Sequence, residues 1–224
     1  MVAIFPAYCA AMREYGSPYA NLIGLLDGNF MKSSRPGELG NKYFRLDQSV
    51  VYTGEKCAHG LKFLAALFPN GMTVLCGPFK GKVHDVRMIY ESGWLDWLAA
   101  LELRGDGFDC LFGDAGFAND KYLQVMTKSY GVYIGNDVKA FNALMSRIRI
   151  HIENAFAGKS KVFNFLSNGM GLEIGGRRVE RAYMVATFLM NCRTTFYGNQ
   201  FTRELDNPLR MTIEELLALA DTTL

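Results

Sequence analysis

Three carboxylates constrain this chain more than any other feature. Asp27 closes the apolar run in LIGLLDGN, Asp114 closes the one in CLFGDAGF, and Glu153 lies in RIRIHIENAF. The first two runs read as buried strands, each ending at its aspartate. The third acid is separated from the second by 38 residues and lies in a long stretch with only weak breakers. In a sheet-based fold, functional side chains gather where loops converge at strand ends. Three acids brought to one place there give a set of hard oxygen ligands for divalent ions.

The elements around them predict a mixed α/β fold. Tyr19–Asp27 reads as a strand ended by Asp27-Gly28. Cys57–Phe68 and the run MTVLCGPF read as two strands joined by the turn Pro69-Asn70-Gly71, a hairpin. Met88–Leu103 has helical apolar spacing. Phe108–Phe112 and Tyr130–Ile134 read as short strands. Residues 147–153 alternate like a strand, but Phe141, Leu144, Met145, Ile148, Ile152 and Phe156 recur at helical spacing, and the length favours a helix. Tyr183–Cys192 is a further apolar helix. Met211–Leu219 reads as a short amphipathic helix capped by Thr212. A hairpin followed by strands alternating with helices predicts a mixed sheet with helices on its faces, the order found in the ribonuclease H-like fold. We expect an N-terminal extension over 1–19, one catalytic domain over 20–195 and a C-terminal tail with a short helix over 196–224.

Half of the 224 residues are hydrophobic and 21% are charged, which suits one well-filled core and argues against a disordered chain. No apolar run is long enough for a membrane span. The first sixteen residues have no basic stretch ahead of the apolar one, and Pro6 interrupts them, so no secretory signal is expected. The five cysteines are scattered without CxxC spacing and read as buried thiols in a reducing compartment. Net charge is only +2, but it is unevenly spread: residues 32–87 and 128–181 each carry nine Lys or Arg against four acids, whereas 88–127 carry two against seven. On one face, the two basic segments would suit a phosphate backbone.

Taken singly, each acid has an ordinary reading. Asp-Gly after a strand is a common turn, Gly-Asp-Ala-Gly at 113–116 is another, and Glu153 is spaced for a helix-surface pair with Arg149. His84-Asp85, after a Gly-rich turn, can support a metal site, with Asp85 as a further ligand and His84 beside it, or can cap the following helix. His59 reads as structural. The three histidines form no HxH or HxxxH pair, which argues against a zinc enzyme. GxSxG, GxxxxGK[ST] and GxGxxG are all missing, so serine hydrolase, P-loop and dinucleotide chemistry lose support.

In their order, these blocks resemble the PIF/Harbinger-type DDE superfamily endonucleases, the family of Harbinger transposase-derived nucleases. LLDGNFMKSSRPG is similar to the family's first-aspartate motif. EKCAHGLKFLAALFPNGMTVLCGPFKGKVHDVRMIYESGW resembles its central block, with a Gly-x-x-His-Asp-x-Arg segment. LFGDAGF resembles its Gly-Asp-x-Gly-aromatic motif, SRIRIHIENAFAGKSKVF its glutamate-bearing helix, and AYMVATFLMNCRTTF its closing helix. The resemblance implies a ribonuclease H-like fold, catalytic and metal-binding roles for Asp27, Asp114 and Glu153, and a two-ion Mg²⁺ or Mn²⁺ mechanism that hydrolyses DNA phosphodiesters. Lys32, Arg35, Lys80, Lys82, Arg147 and Arg149 are the candidate phosphate contacts. Only about 20 residues precede the first strand, so no helix-turn-helix is expected here. The resemblance then implies a separate Myb-like DNA-binding partner and a nuclear as well as cytoplasmic location. The alternative is a domesticated or decayed, non-catalytic DNA-binding or interaction protein that keeps the fold.

Overall fold

A computed structural model describes residues 4–36, 48–103, 109–127, 135–168, 174, 178–204 and 209–215. The elements run Phe5–Glu14 (α1), Leu22–Lys32 (β1), Gln48–Val51 (α2), Tyr52–Thr53 (β2), Ala58–Leu67 (β3), Thr73–Lys80 (β4), Asp85–Glu91 (α3), Trp94–Leu103 (α4), Cys110–Gly113 (β5), Leu123–Val125 (β6), Asn136–Val162 (α5), Phe165–Asn168 (α6), Arg178–Tyr197 (α7) and Gln200–Glu204 (α8). The sheet order is β2-β3-β1-β5-β6, with β4 also paired to β3. β1, β3 and β4 are antiparallel neighbours, while β5 runs parallel to β1 and β6 parallel to β5. With helices packed on the sheet, this is the mixed α/β arrangement of a ribonuclease H-like fold.

β1 departs from the expected strand. Asp27-Gly28 does not turn the chain, and the strand continues to Lys32. The antiparallel register with β3 runs unbroken through Asp27↔Ala65 and Gly28↔Leu64 to Lys32↔Gly60. Eight consecutive ladder positions thus outweigh the local turn preference of Asp-Gly. Asp27 is therefore a mid-strand residue, whereas Asp114 does follow the last residue of its strand.

The hairpin forms as expected. Gly71 takes φ +81°, Phe68 N–H donates to the Met72 carbonyl at 3.0 Å, and Asn70 Oδ1 accepts from Met72 N–H at 3.0 Å. The single helix expected over 88–103 is two helices. Gly93 at φ +72° breaks it, and Ser92 Oγ accepts from Trp94 N–H to cap the second half. The ambiguous stretch from Phe141 to Phe156 lies in α5, whose helix spans 27 residues and buries Met145, Ile148 and Ile152. Thr212 and Glu215 form a reciprocal cap, with Glu215 N–H on Thr212 Oγ1 and Thr212 N–H on Glu215 Oε2. The expected strand at 130–134 and the end of the tail helix lie outside the described residues. All five cysteines are free; Cys9 and Cys110 are buried, but Cys57 is exposed.

One sheet face packs Ile23, Leu64 and Leu111 against Phe5 and Tyr8 of α1 and Leu98 and Leu101 of α4. Leu22, Leu25, Ala65 and Phe112 pack against Met145, Ile148 and Ile152 of α5. A third cluster joins Leu61 and Phe63 of β3 to Val179, Tyr183 and Ala186 of α7. Between β1 and β3 the backbone approach leaves no room for a side chain at Gly60: a Cβ there would lie 2.2 Å from the Met31 carbonyl oxygen and 2.5 Å from the Phe30 ring. Gly60→Ala should cost about 1–3 kcal/mol through forced backbone movement. Urea unfolding should show a lower midpoint with an unchanged slope; an unchanged midpoint would mean that β1 and β3 can separate freely at this point.

Candidate active site

The sheet register sets the site. β5 ends at Gly113, which pairs with Leu26. The next residue on each strand is an aspartate, so Asp27 and Asp114 stand side by side where two parallel neighbours part. Such carboxyl ends of parallel strands are where open α/β sheets bind ligands. The chain then turns through Ala115 and Gly116, with Phe117 N–H bonded to the Asp114 carbonyl.

Asp85, the first residue of α3, completes the group. It flanks both aspartate-bearing strands: a Cβ on Gly28 would lie 3.1 Å from Asp85 Oδ1, and one on Gly116 would lie 3.6 Å from Asp114 Oδ2 and 3.8 Å from Asp85 Oδ2. Glycine at 28 and 116 is what lets the acids come this close. Asp85 does not cap its helix. His84 holds the N-cap position with extended backbone and makes no side-chain cap bond. Asp85 instead accepts from Lys62 Nζ at 3.1 Å.

Glu153 lies on α5, one turn after Arg149. Arg149 donates to Glu153 Oε1 at 2.5 Å and to Asp27 Oδ2 at 3.3 Å. One guanidinium thus ties the helix acid to the strand acid. Asp27 and Arg149 side chains are each only 18% exposed, against 50% for Glu153. Burial pushes the Asp27 carboxyl up to about 6, against the opposing pull of Arg149 and the Gly28 N–H; the charges of Asp114 and Asp85 add to the rise.

The structure therefore brings Asp27, Asp114 and Asp85 together and links Glu153 to them through Arg149. Among the described residues, no three acidic, histidine or cysteine side chains stand close enough to form a ready-made ion site. Arg149 and Lys62 instead engage carboxylate oxygens of Asp27, Glu153 and Asp85. The donor set is all hard oxygen with an excess of negative charge, which fits Mg²⁺ or Mn²⁺ and not a thiol- or imidazole-seeking ion.

The expected phosphate contacts divide. The registers Lys32↔Gly60 and Leu61↔Lys80 place Lys32 and Lys80 on either side of one end of β3, with Lys82 in the turn that follows; all three are exposed. Arg35 is exposed and bonds Gln48. Arg149 is committed to its two carboxylates. Arg147 acts electrostatically on Tyr15 and Glu204 rather than on the acidic group. His59 lies beside Tyr52, its ring tilted by 59° and the centroids 5.1 Å apart. One contributor and one contact escaped the sequence reading. Lys62 is a lone cation inside the apolar run AHGLKFLAAL, and a charge so placed needs a partner. Arg149 was legible as a pair with Glu153, but its reach to a strand 122 residues away was not.

Over residues 26–191 the chain matches the DDE superfamily endonuclease family. No curated protein and no solved structure matches it.

The raised Asp27 pKa makes the stability of the fold depend on pH. In the unfolded chain the group titrates near 3.8, and in the fold at about 6. The native state holds the extra proton between those values, so stability falls as pH rises through that window. The shift corresponds to a penalty on the order of 3 kcal/mol at neutral pH. In EDTA, Asp27→Asn should melt above the parent at pH 8, with the gap closing by pH 4. A variant no more stable at pH 8 would show that the ion pair fully offsets the burial.

Proposed function

The chain belongs to the DDE superfamily endonuclease family, and from that premise we propose that it cleaves DNA phosphodiester bonds at the acidic centre built from Asp27, Asp114 and Glu153, with Asp85 as a fourth carboxylate. The observation that carries the reading is the register Leu26↔Gly113, which sets Asp27 and Asp114 next to each other at the parting of two parallel strands. We assign the Harbinger subtype from the order of its blocks. The assignment gains support from Asp85, the aspartate of the Gly-x-x-His-Asp-x-Arg segment, which faces the other acids across Gly116.

In this reading Asp27, Asp114 and Glu153 would hold two Mg²⁺ or Mn²⁺ ions, with Asp85 beside them. The chemistry such ions supply when bound is activation of a water and stabilisation of the departing oxygen. The protein's own groups do the rest. Asp27 is held with its charge poorly solvated, so its carboxylate gains by exchanging Arg149 for a stronger cation. Arg149 keeps the α5 acid and the β1 acid at a fixed spacing until then. Lys62 does the same for Asp85 from β3. Lys32, Lys80 and Lys82 would position the strand through its phosphates. A Myb-like partner would read the base sequence, and the site of action would be the nucleus.

The direct test is nicking of supercoiled plasmid by the purified chain with Mn²⁺ or Mg²⁺. Asp114→Asn and Asp27→Asn should each reduce the rate by a factor on the order of 100 or more, with the fold intact by circular dichroism. Nicking that survives both substitutions would remove these acids from the chemistry.

Binding of uncleaved DNA, measured in EDTA, should weaken with salt at a log–log slope of about −0.9 per phosphate contacted. Lys80→Glu with Lys82→Glu should flatten that slope. A slope unchanged by the double substitution would move the DNA path elsewhere on the surface.

A further inference from the structure

α5 has a second functional-looking face. Arg149 and Glu153 turn toward β1. His151, Asn154, Gly158 and Lys161, spaced three or four residues apart, line a different side of the helix. There a cavity of about 500 Å³ opens between α5, α7, α8 and the hairpin turn at Gly71. That volume lies within the roughly 300–1,000 Å³ typical of small-ligand pockets.

Its wall is cationic: Lys159, Lys161, Arg193 and Arg203 line it, against the single acid Glu204. Glu204 is already engaged, accepting from Tyr15 Oη at 2.5 Å and from Gln200 at 2.8 Å. Lys159 is 3% exposed. Its Nζ donates to Thr187 Oγ1 at 2.8 Å and lies 3.7 Å from the Tyr183 ring centroid. Thr187 in turn donates to the Tyr183 carbonyl. Among the described residues no carboxylate is paired with this ammonium, and burial lowers its pKa to about 7. An anion against it would restore the charged form. His151, 2% exposed and stacked on Phe201, also lines the cavity; its Nε2 meets Tyr15 Oη at 2.6 Å, while Nδ1 has no partner among the described residues. A buried ammonium with no carboxylate paired to it among the described residues and a rim of three exposed cations are complementary to a compact, doubly charged anion.

We propose that this cavity binds a phosphomonoester, with the phosphoryl group against Lys159 and the rim cations Lys161, Arg193 and Arg203. The source is either a free nucleotide or the 5′-phosphorylated end of a strand. A phosphodiester carries one charge, so it matches this concentration of cations less well.

Calorimetric titration of the full chain with AMP in EDTA tests this. Saturable binding is expected, weakened about tenfold or more by Lys159→Met and by the surface pair Lys161→Ala/Arg193→Ala, and left unchanged by Asp114→Asn. The surface pair decides the matter if Lys159→Met does not fold. Competition by a short oligonucleotide with a 5′-phosphate, but not by its 5′-hydroxyl twin, would identify a strand end; competition by neither would identify a free nucleotide. No saturable binding in the millimolar range, or binding indifferent to the Lys161/Arg193 pair, would overturn the proposal. So would binding abolished by Asp114→Asn, which would place the phosphate at the acidic centre. Failure here leaves the nicking reaction untouched, because the two sites lie on different faces of α5.

Discussion

A carboxylate buried in the middle of a strand costs free energy, and the arrangement of this protein follows from how that cost is met. Asp27 cannot move to the edge of the sheet, because β3 fixes it in register with Ala65. Its access to water is small, because α5 packs over Leu25 and Phe112 beside it. Its compensation is a cation delivered by α5. Arg149 reaches Asp27 from a helix whose position is set by Met145, Ile148 and Ile152 in the core. Deleting Arg149 would leave the Asp27 carboxylate charged and uncompensated, the costly case for buried ion pairs, whereas deleting the Asp27 charge leaves Arg149 its pair with Glu153. The pair is nevertheless incomplete as a solution, since the Asp27 pKa still ends well above its ordinary value. The residual strain is what a stronger cation at the same spot would relieve.

The same logic runs through the neighbouring acids. Asp85 meets Lys62, whose Nζ comes from the middle of β3, and the glycines at 28 and 116 clear the space between Asp85 and the two strands. A side chain at either glycine would be in contact with the carboxylates themselves. Packing and electrostatics therefore act on one set of atoms. β1, β5, α3 and α5 bring four acidic positions to one region, and two basic side chains engage three of them.

Much of this was legible in the sequence, and the parts that were not share a cause. Apolar runs ending in aspartate gave β1 and β5, Pro-Asn-Gly gave the hairpin turn, and apolar spacing over 141–156 gave α5 despite the alternating RIRIHIE. Local pattern failed where a distant partner decided the outcome. Asp27-Gly28 has the composition of a turn, but β3 holds it extended. The helix over Phe5–Glu14 also carries its own signal, with Phe5, Tyr8, Cys9 and Met12 at helical spacing and all buried. Pro6 obscured it, because proline reads as a break when it lies inside an apolar run and as a favoured residue when it lies in a helix's first turn. Lys159 was the hardest to foresee. AGKSKV reads as a solvated helix end, and only the packing of α7, which brings Tyr183 and Thr187 against the amine, buries it.

α5 connects these observations. Its 27 residues make it far longer than one contact surface requires. With 3.6 residues per turn, a helix of that length presents a buried stripe, a site-facing stripe and a third face to three different surroundings at once. The buried stripe sets where the helix lies, and that fixes Arg149 and Glu153 on one side and His151, Asn154 and Lys159 on the others. Glu153 and Asn154 are adjacent in sequence, yet Glu153 pairs with Arg149 while Asn154 bonds Gln200 of α8. A rotation of α5 about its axis would disturb the acidic centre and the cationic cavity together, and Ile148 and Ile152, fully buried between them, resist that rotation. The rigidity that holds Arg149 within reach of Asp27 is thus the same rigidity that shapes the cavity behind it.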